Sequence, residues 1–237
     1  MHKKASLLFG LTLIVLAILA LAATLLVDLT GIPTLRTGMS TWPLFVIGIG
    51  LLFCIPPFLF RKQPGLGGLF IPGVPVLTTG ILLFLSSVTG SWELWAAWWP
   101  MEVIGLALGF VLAAIFLRVV WLMIPASIVG LIGLVFQFCT LTQQWAAWAV
   151  LWTVVPFSVG LPLLLIGLFQ KIDGVKLAGI ILCGFAGLAF AAMSAFIPTS
   201  STVIRLIGPV IILALGALLV VSALIKKPET PAPLEKE

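Results

Sequence analysis

The sequence predicts an all-α fold: a polytopic membrane helix bundle of about eight transmembrane helices, arranged as four parallel-repeat hairpins. Three observations predict it: a composition no water-soluble domain can carry, apolar runs of membrane-spanning length, and an internal repeat. Hydrophobic residues make up 62% of the 237 positions and charged residues 8%. A soluble domain is roughly half apolar and a quarter charged. Twelve bases, seven acids and one histidine cannot cover a core of this size, so lipid must solvate most of the surface.

A hydrocarbon layer of about 30 Å takes about 20 apolar residues as helix. The runs place spans at 5–27, 41–60, 69–88, 100–118, 120–139, 147–169, 176–196 and 204–225. The first has a basic start and small residues at Ala20-Leu21-Ala22, as a signal peptide does, but its apolar run continues through Val27 and reaches spanning length. Residues 1–227 therefore read as a single membrane domain. After Lys227 the residues KPETPAPLEKE, from 227 on, have almost nothing to bury, so 228–237 read as a disordered cytoplasmic tail.

The repeat fixes how the spans are grouped. Trp42-Pro43 through Phe53 and Trp99-Pro100 through Phe110 agree at seven of twelve positions in a register of 57. Ile71-Pro72, Gly80, Trp92, Trp95 and Trp99 recur as Ile124-Pro125, Gly133, Trp145, Trp148 and Trp152, in a register of 53. Pro156 and Gly160 take the proline and glycine roles of the next copy with a small shift, and Gly208-Pro209-Val210-Ile211 is a fainter fourth copy. The units are about 1–62, 63–118, 119–171 and 172–227. Each is a helix, an outer connection, and a second helix with proline near its outer end. Proline suits the first helical turn, where its missing N–H costs nothing. Pro43, Pro100 and Pro209 fit that role, whereas Pro156 is expected to kink a longer helix. Gly48, Gly50, Gly105, Gly109, Gly130 and Gly133 are expected to face other helices, because small residues let backbones approach in lipid.

Charge orients the spans. With eight, one side holds Lys3, Lys4, Arg61, Lys62, Arg118, Lys171, Lys176, Lys226, Lys227 and Lys236; the other holds Arg36 and Arg205. Ten bases against two make the first side cytoplasmic, with both termini on it. These bases stand as short pairs at helix ends rather than as a patch, so nucleic acid is not expected as a partner, and membrane lipid is.

Eight of the nine tryptophans fall at or near the outer side; Trp121 is the exception. Trp92, Trp95 and Trp99, like Trp145, Trp148 and Trp152, are spaced i, i+3, i+7, one stripe on a helix. Three readings stand: an aromatic belt at the headgroups, a short interfacial helix before each proline, or a groove for a lipid or lipid-linked molecule. Charges inside spans are functional candidates by default. Glu102 lies just inside the fourth span, where the first unit has Phe45, and Arg205 opens the eighth. Either is an interfacial side chain reaching to water or a binding group, and the two are at similar depth. Asp28, Arg36 and Glu93 fall in outer connections, and Gln137 within the fifth span. Glu102, Arg205, Trp95 and Trp148 are the candidate contact residues.

Catalytic signatures are missing. No G-x-S-x-G, H-E-x-x-H or Walker loop occurs, the only histidine is His2, and Gly65-Leu66-Gly67-Gly68 reads as a hairpin turn before a span. Cys54, Cys139 and Cys183 lack metal-ligand spacing and read as free buried thiols. No catalytic residue, cofactor or metal is expected.

The repeated unit resembles the transmembrane region of the LiaI/LiaF-like bacterial membrane proteins. The resemblance rests on the Trp-Pro segments at 42–53 and 99–110 and on the glycine-rich apolar helix from Ile71-Pro72-Gly73 through Gly80-Ile81-Leu82-Leu83. It implies a bacterial inner-membrane protein, linked to envelope-stress sensing through protein partners. The first functional expectation is a non-enzymatic membrane protein working through membrane-protein or lipid contacts, as a homo-oligomer or with another partner. The alternative is a small permease or lipid-handling transporter with its path between hairpins.

Overall fold

The computed structural model describes residues 42–196 continuously, with isolated helical positions between 10 and 25 and at 206 and 210. Every regular element among the described residues is helical. They are α1 (Pro43–Leu59), a 3-10 helix (Pro64–Leu69), α2 (Phe70–Thr89), α3 (Glu93–Trp98), α4 (Pro100–Leu117), a 3-10 turn (Val120–Leu122), α5 (Met123–Thr142), a 3-10 turn (Trp145–Ala147), α6 (Trp148–Leu151), α7 (Val154–Gln170) and α8 (Asp173–Phe196). The segments Pro64–Thr89, Pro100–Leu117, Val120–Thr142 and Asp173–Ser194 are long and apolar enough to cross a membrane. The pair Trp145–Leu151 and Val154–Gln170, bent by 48°, makes a fifth if counted as one span. Helix α1 is apolar but only 17 residues long, or about 25 Å. Eight spans were expected; the first and last fall on 5–27 and 204–225, outside the continuously described residues.

Pro43 and Pro100 stand at the first turn of α1 and α4, as expected. The single span expected over 147–169 is instead two helices. Pro156 has no N–H to give the Trp152 carbonyl, which accepts the Val155 N–H instead at 2.9 Å. The helical ladder is thus interrupted before α7, and Pro156 sits in the first turn of α7, just past the 48° bend. The same three-residue bond opens α1, from the Phe45 N–H to the Trp42 carbonyl at 3.0 Å, and α4, from the Glu102 N–H to the Trp99 carbonyl at 3.0 Å.

The main contacts run in chain order: α1 on α2, α2 on α4, α4 on α5, α5 on α7 and α7 on α8. Glycine sets how closely they approach. A Cβ on Gly80 would lie 2.7 Å from the Ile47 backbone nitrogen, and one on Gly50 2.7 Å from Leu77. Gly109 meets the Phe70 carbonyl oxygen, Gly105 meets Thr78, and Gly133 would lie 2.8 Å from Ile104. Gly130 is looser, 3.2 Å from the Ala107 Cβ, and Gly48 is buried. Between α7 and α8, Gly160 closes on Cys183, Gly167 on Lys176 and Gly179 on Leu164. Apolar burial gains little between helices in lipid, so packing of this closeness is what holds such an array.

Helices α4 and α7 end alike. Arg118 and Lys171 adopt the left-handed conformation at φ 56° and 57°. The next N–H reaches back, Val119 to Ala114 and Ile172 to Gly167, each at 3.0 Å, which satisfies a terminal carbonyl. Glycine-rich 64–69, expected as a simple hairpin turn, is a 3-10 helix tucked beneath α4, where a Cβ on Gly67 would meet Phe116 at 2.8 Å. Phe58, Phe70 and Phe116 pack edge to face there, centroids 4.9–5.2 Å apart. Cys54, Cys139 and Cys183 are free thiols.

Candidate functional site

The polar groups that the apolar helices hold collect towards the tryptophan-bearing ends. Glu102 occupies the first turn of α4, where a negative charge meets the positive end of the helix dipole. It is half-buried against α2, and the Thr79 hydroxyl donates to its Oε1 at 2.9 Å. In the register of 53, Thr79 and Glu102 correspond to Ile132 and Val155. Both members of the polar pair are therefore apolar 53 residues further along the chain. A lone carboxylate would need no such partner change, so the pair reads as one device. Sequence reasoning named Glu102 and missed Thr79; the paired replacement was the signal that would have found it.

Arg205, expected at similar depth to Glu102, lies outside the described residues. Among the described residues the ion pair is Lys176 with Asp173, at 2.7 Å and at the opposite ends of the helices.

Tryptophan placement follows from the short helices. Trp92 and Trp99 flank α3, and the Trp95 carbonyl accepts the Trp99 N–H at 2.9 Å. The equivalent bond in the next unit runs from the Trp152 N–H to the Trp148 carbonyl at 3.1 Å. Phe136 of α5 gathers three indoles: Trp99 at 5.6 Å, Trp148 at 5.4 Å and Trp145 at 6.1 Å between centroids. Trp148 thus enters an aromatic cluster with Trp99 and Trp145 around Phe136, while the bond of Trp95 is that of its backbone carbonyl. The Trp152 indole N–H points to the Met193 sulfur of α8 at 3.2 Å.

Beside Phe136, the buried Gln137 donates its amide to the Ala97 carbonyl at 3.0 Å, which ties α3 to α5. Its Oε1, the Ser86 and Thr140 hydroxyl oxygens and the Gln144 Oε1 have no hydrogen-bond partner among the described residues. Gln137, Thr140 and Gln144 are spaced i, i+3, i+7, on or just past α5. A buried polar atom without a partner costs about 1–3 kcal/mol. These atoms are enclosed by the protein, so they mark polar side chains built into the apolar packing and not a surface open to a ligand.

No family model matches the chain, and no curated protein or solved structure proves similar to it.

Proposed function

We propose that the chain is a multi-pass integral membrane protein that works, without catalysis, through contacts with membrane proteins or lipids at its tryptophan-bearing end. The observation that carries this reading is the closeness of α1 to α2 and of α4 to α5: Gly50, Gly80 and Gly133 bring these helices together between the proposed hairpins, where a substrate path would have to pass. Meanwhile Phe45, Ile49, Ile115, Leu134, Phe169 and Leu188 stand exposed as lipid-facing side chains do.

The finer architecture belongs to the same proposal: eight spans in four hairpin units, with residues 1–4, the Arg61 turn and residues 226–237 on the cytoplasmic side. Three kinds of observation support it. Equivalent hydrogen bonds recur at Trp42, Trp99 and Trp152, and equivalent helix ends at Arg118 and Lys171. Ile14, Ile18, Leu21 and Leu25 are exposed helical positions spaced as one face, and Leu206 and Val210 are helical and exposed likewise. The ten-to-two distribution of bases supports the orientation. The bacterial, envelope-associated part of the proposal rests on the resemblance of the Trp-Pro segments.

The test is purification of the full chain in mild detergent, with bound proteins and lipids identified for the parent, Glu102→Gln and Glu102→Leu. A contact role predicts that both variants insert and fold yet lose a partner. Unchanged partners in both would remove Glu102 from the contact surface.

A further inference from the structure

At the opposite, basic end of the array, an apolar cleft of about 210 Å3 opens beside α1. Leu52, Phe53, Pro56 and Phe60 form one wall, and Leu66 and Leu69 of the 3-10 helix form the other, with Gln63 between them. Drug-sized ligands take pockets of about 300–1,000 Å3. The cleft is smaller than that, open, and almost wholly apolar, which suits part of a flexible hydrocarbon chain. The prolines help to make it: Pro56 and Pro57 cannot donate to the Leu52 and Phe53 carbonyls, so the last turns of α1 lose two ladder bonds along the cleft wall.

Two cations neighbour it in the chain. Arg61 and Lys62 are the residues between Phe60 and Gln63, both lining residues, and both cations are exposed. Neither is paired with an acid among the described residues. An apolar slot whose lining residues Phe60 and Gln63 flank an exposed guanidinium and ammonium in the chain is complementary to a molecule with an acyl chain and an anionic phosphate head.

We propose that this cleft binds an anionic phospholipid, its acyl chain between α1 and the 3-10 helix and its phosphate on Arg61, Lys62 and Gln63. The proposal rests on the reading of the chain as a membrane protein with Arg61 at a membrane surface, and it adds a site and a ligand class to that reading. Each base near the surface contributes about 1 kcal/mol of attraction to an anionic leaflet, or about fivefold in affinity.

The experiment is native mass spectrometry of the full-length protein in mild detergent, titrated separately with phosphatidylglycerol and phosphatidylcholine of matched chains. The parent is expected to bind phosphatidylglycerol at least about tenfold more tightly than phosphatidylcholine. The R61Q/K62Q double variant should lose that preference, whereas R118Q, which changes one base at another turn of the same end, should keep it. Leu66→Trp, which fills the slot, should weaken the first bound lipid of either kind. Equal loss in R118Q and R61Q/K62Q would show diffuse charge attraction and overturn the site. So would an unchanged first lipid in Leu66→Trp. Failure of the membrane reading itself is read separately, by release of the protein from membranes at alkaline pH without detergent, and labelling of Gln63→Cys in intact cells would show that the Arg61 turn is on the outer side.

Discussion

Gly133 of α5 lies against Ile104 of α4 as Gly80 of α2 lies against Ile47 of α1: a Cβ on either glycine would come 2.8 Å from the isoleucine Cγ1. The isoleucines are 57 residues apart and the glycines 53, so both registers of the sequence repeat meet at one kind of contact. Neither glycine can grow a methyl group without displacing a neighbouring helix. Gly80→Ala and Gly133→Ala should each cost about 1–3 kcal/mol, as overpacking does, and lower the melting temperature in detergent. Gly184→Ala, a helical position with open space around it, should leave the melting temperature unchanged or raise it. Equal melting temperatures for all three would mean that the helices are not packed as described.

The pairing of Thr79 with Glu102 makes a second prediction. Thr79→Ile alone leaves a half-buried carboxylate without its donor, and Glu102→Val alone leaves the hydroxyl without its acceptor. Each should destabilise by about 1–2 kcal/mol. The double variant reproduces Ile132 and Val155 of the next unit and should cost less than the two singles added. A thermal or denaturant cycle with no coupling would dissolve the pair.

Left-handed helix ends give a third. Gly90 has φ 67°, and Gln143, 53 residues on, holds the same conformation at φ 57°. Most side chains resist that region by about 1–2 kcal/mol. Gln143→Gly should therefore raise stability or leave it unchanged, and Gly90→Ala should lower it by about 1 kcal/mol. The opposite ordering in thermal melts would contradict the assigned helix ends.

Gln137→Leu supplies the fourth. It removes the amide bond to the Ala97 carbonyl together with an unpartnered buried acceptor. The two effects oppose each other, so global stability should move by no more than about 1 kcal/mol. Helix α3 should nevertheless loosen from α5, seen as faster amide exchange over residues 93–98. Unchanged exchange there would show that the clasp is not what docks α3.

Helix positions were legible because membrane-length apolar runs carry a strong signal: α2, α4 and α8 begin and end within three residues of the runs at 69–88, 100–118 and 176–196. Helix α5 is shifted by three residues, since Val120–Leu122 forms a 3-10 turn first. The break before α7 was misread because apolarity is continuous across it; only the missing N–H of Pro156 interrupts the ladder. Glycine contacts were legible from residue size alone. The polar ties were not. Thr79 and Gln137 sit singly in apolar runs, and what they bond depends on which helices meet, which periodicity does not encode. Trp148 was picked for its place in a stripe, yet its neighbour Phe136 comes from a different helix.

The arrangement of spans about the bilayer is tested most directly by single cysteines at Thr34, Gln63, Gln144 and Thr230 in a cysteine-free background. An impermeant thiol reagent is added to intact cells. Eight spans with the basic turns inside predict labelling at Thr34→Cys and Gln144→Cys, and none at Gln63→Cys or Thr230→Cys until the cells are opened. Labelling of Gln63→Cys in intact cells would contradict the account.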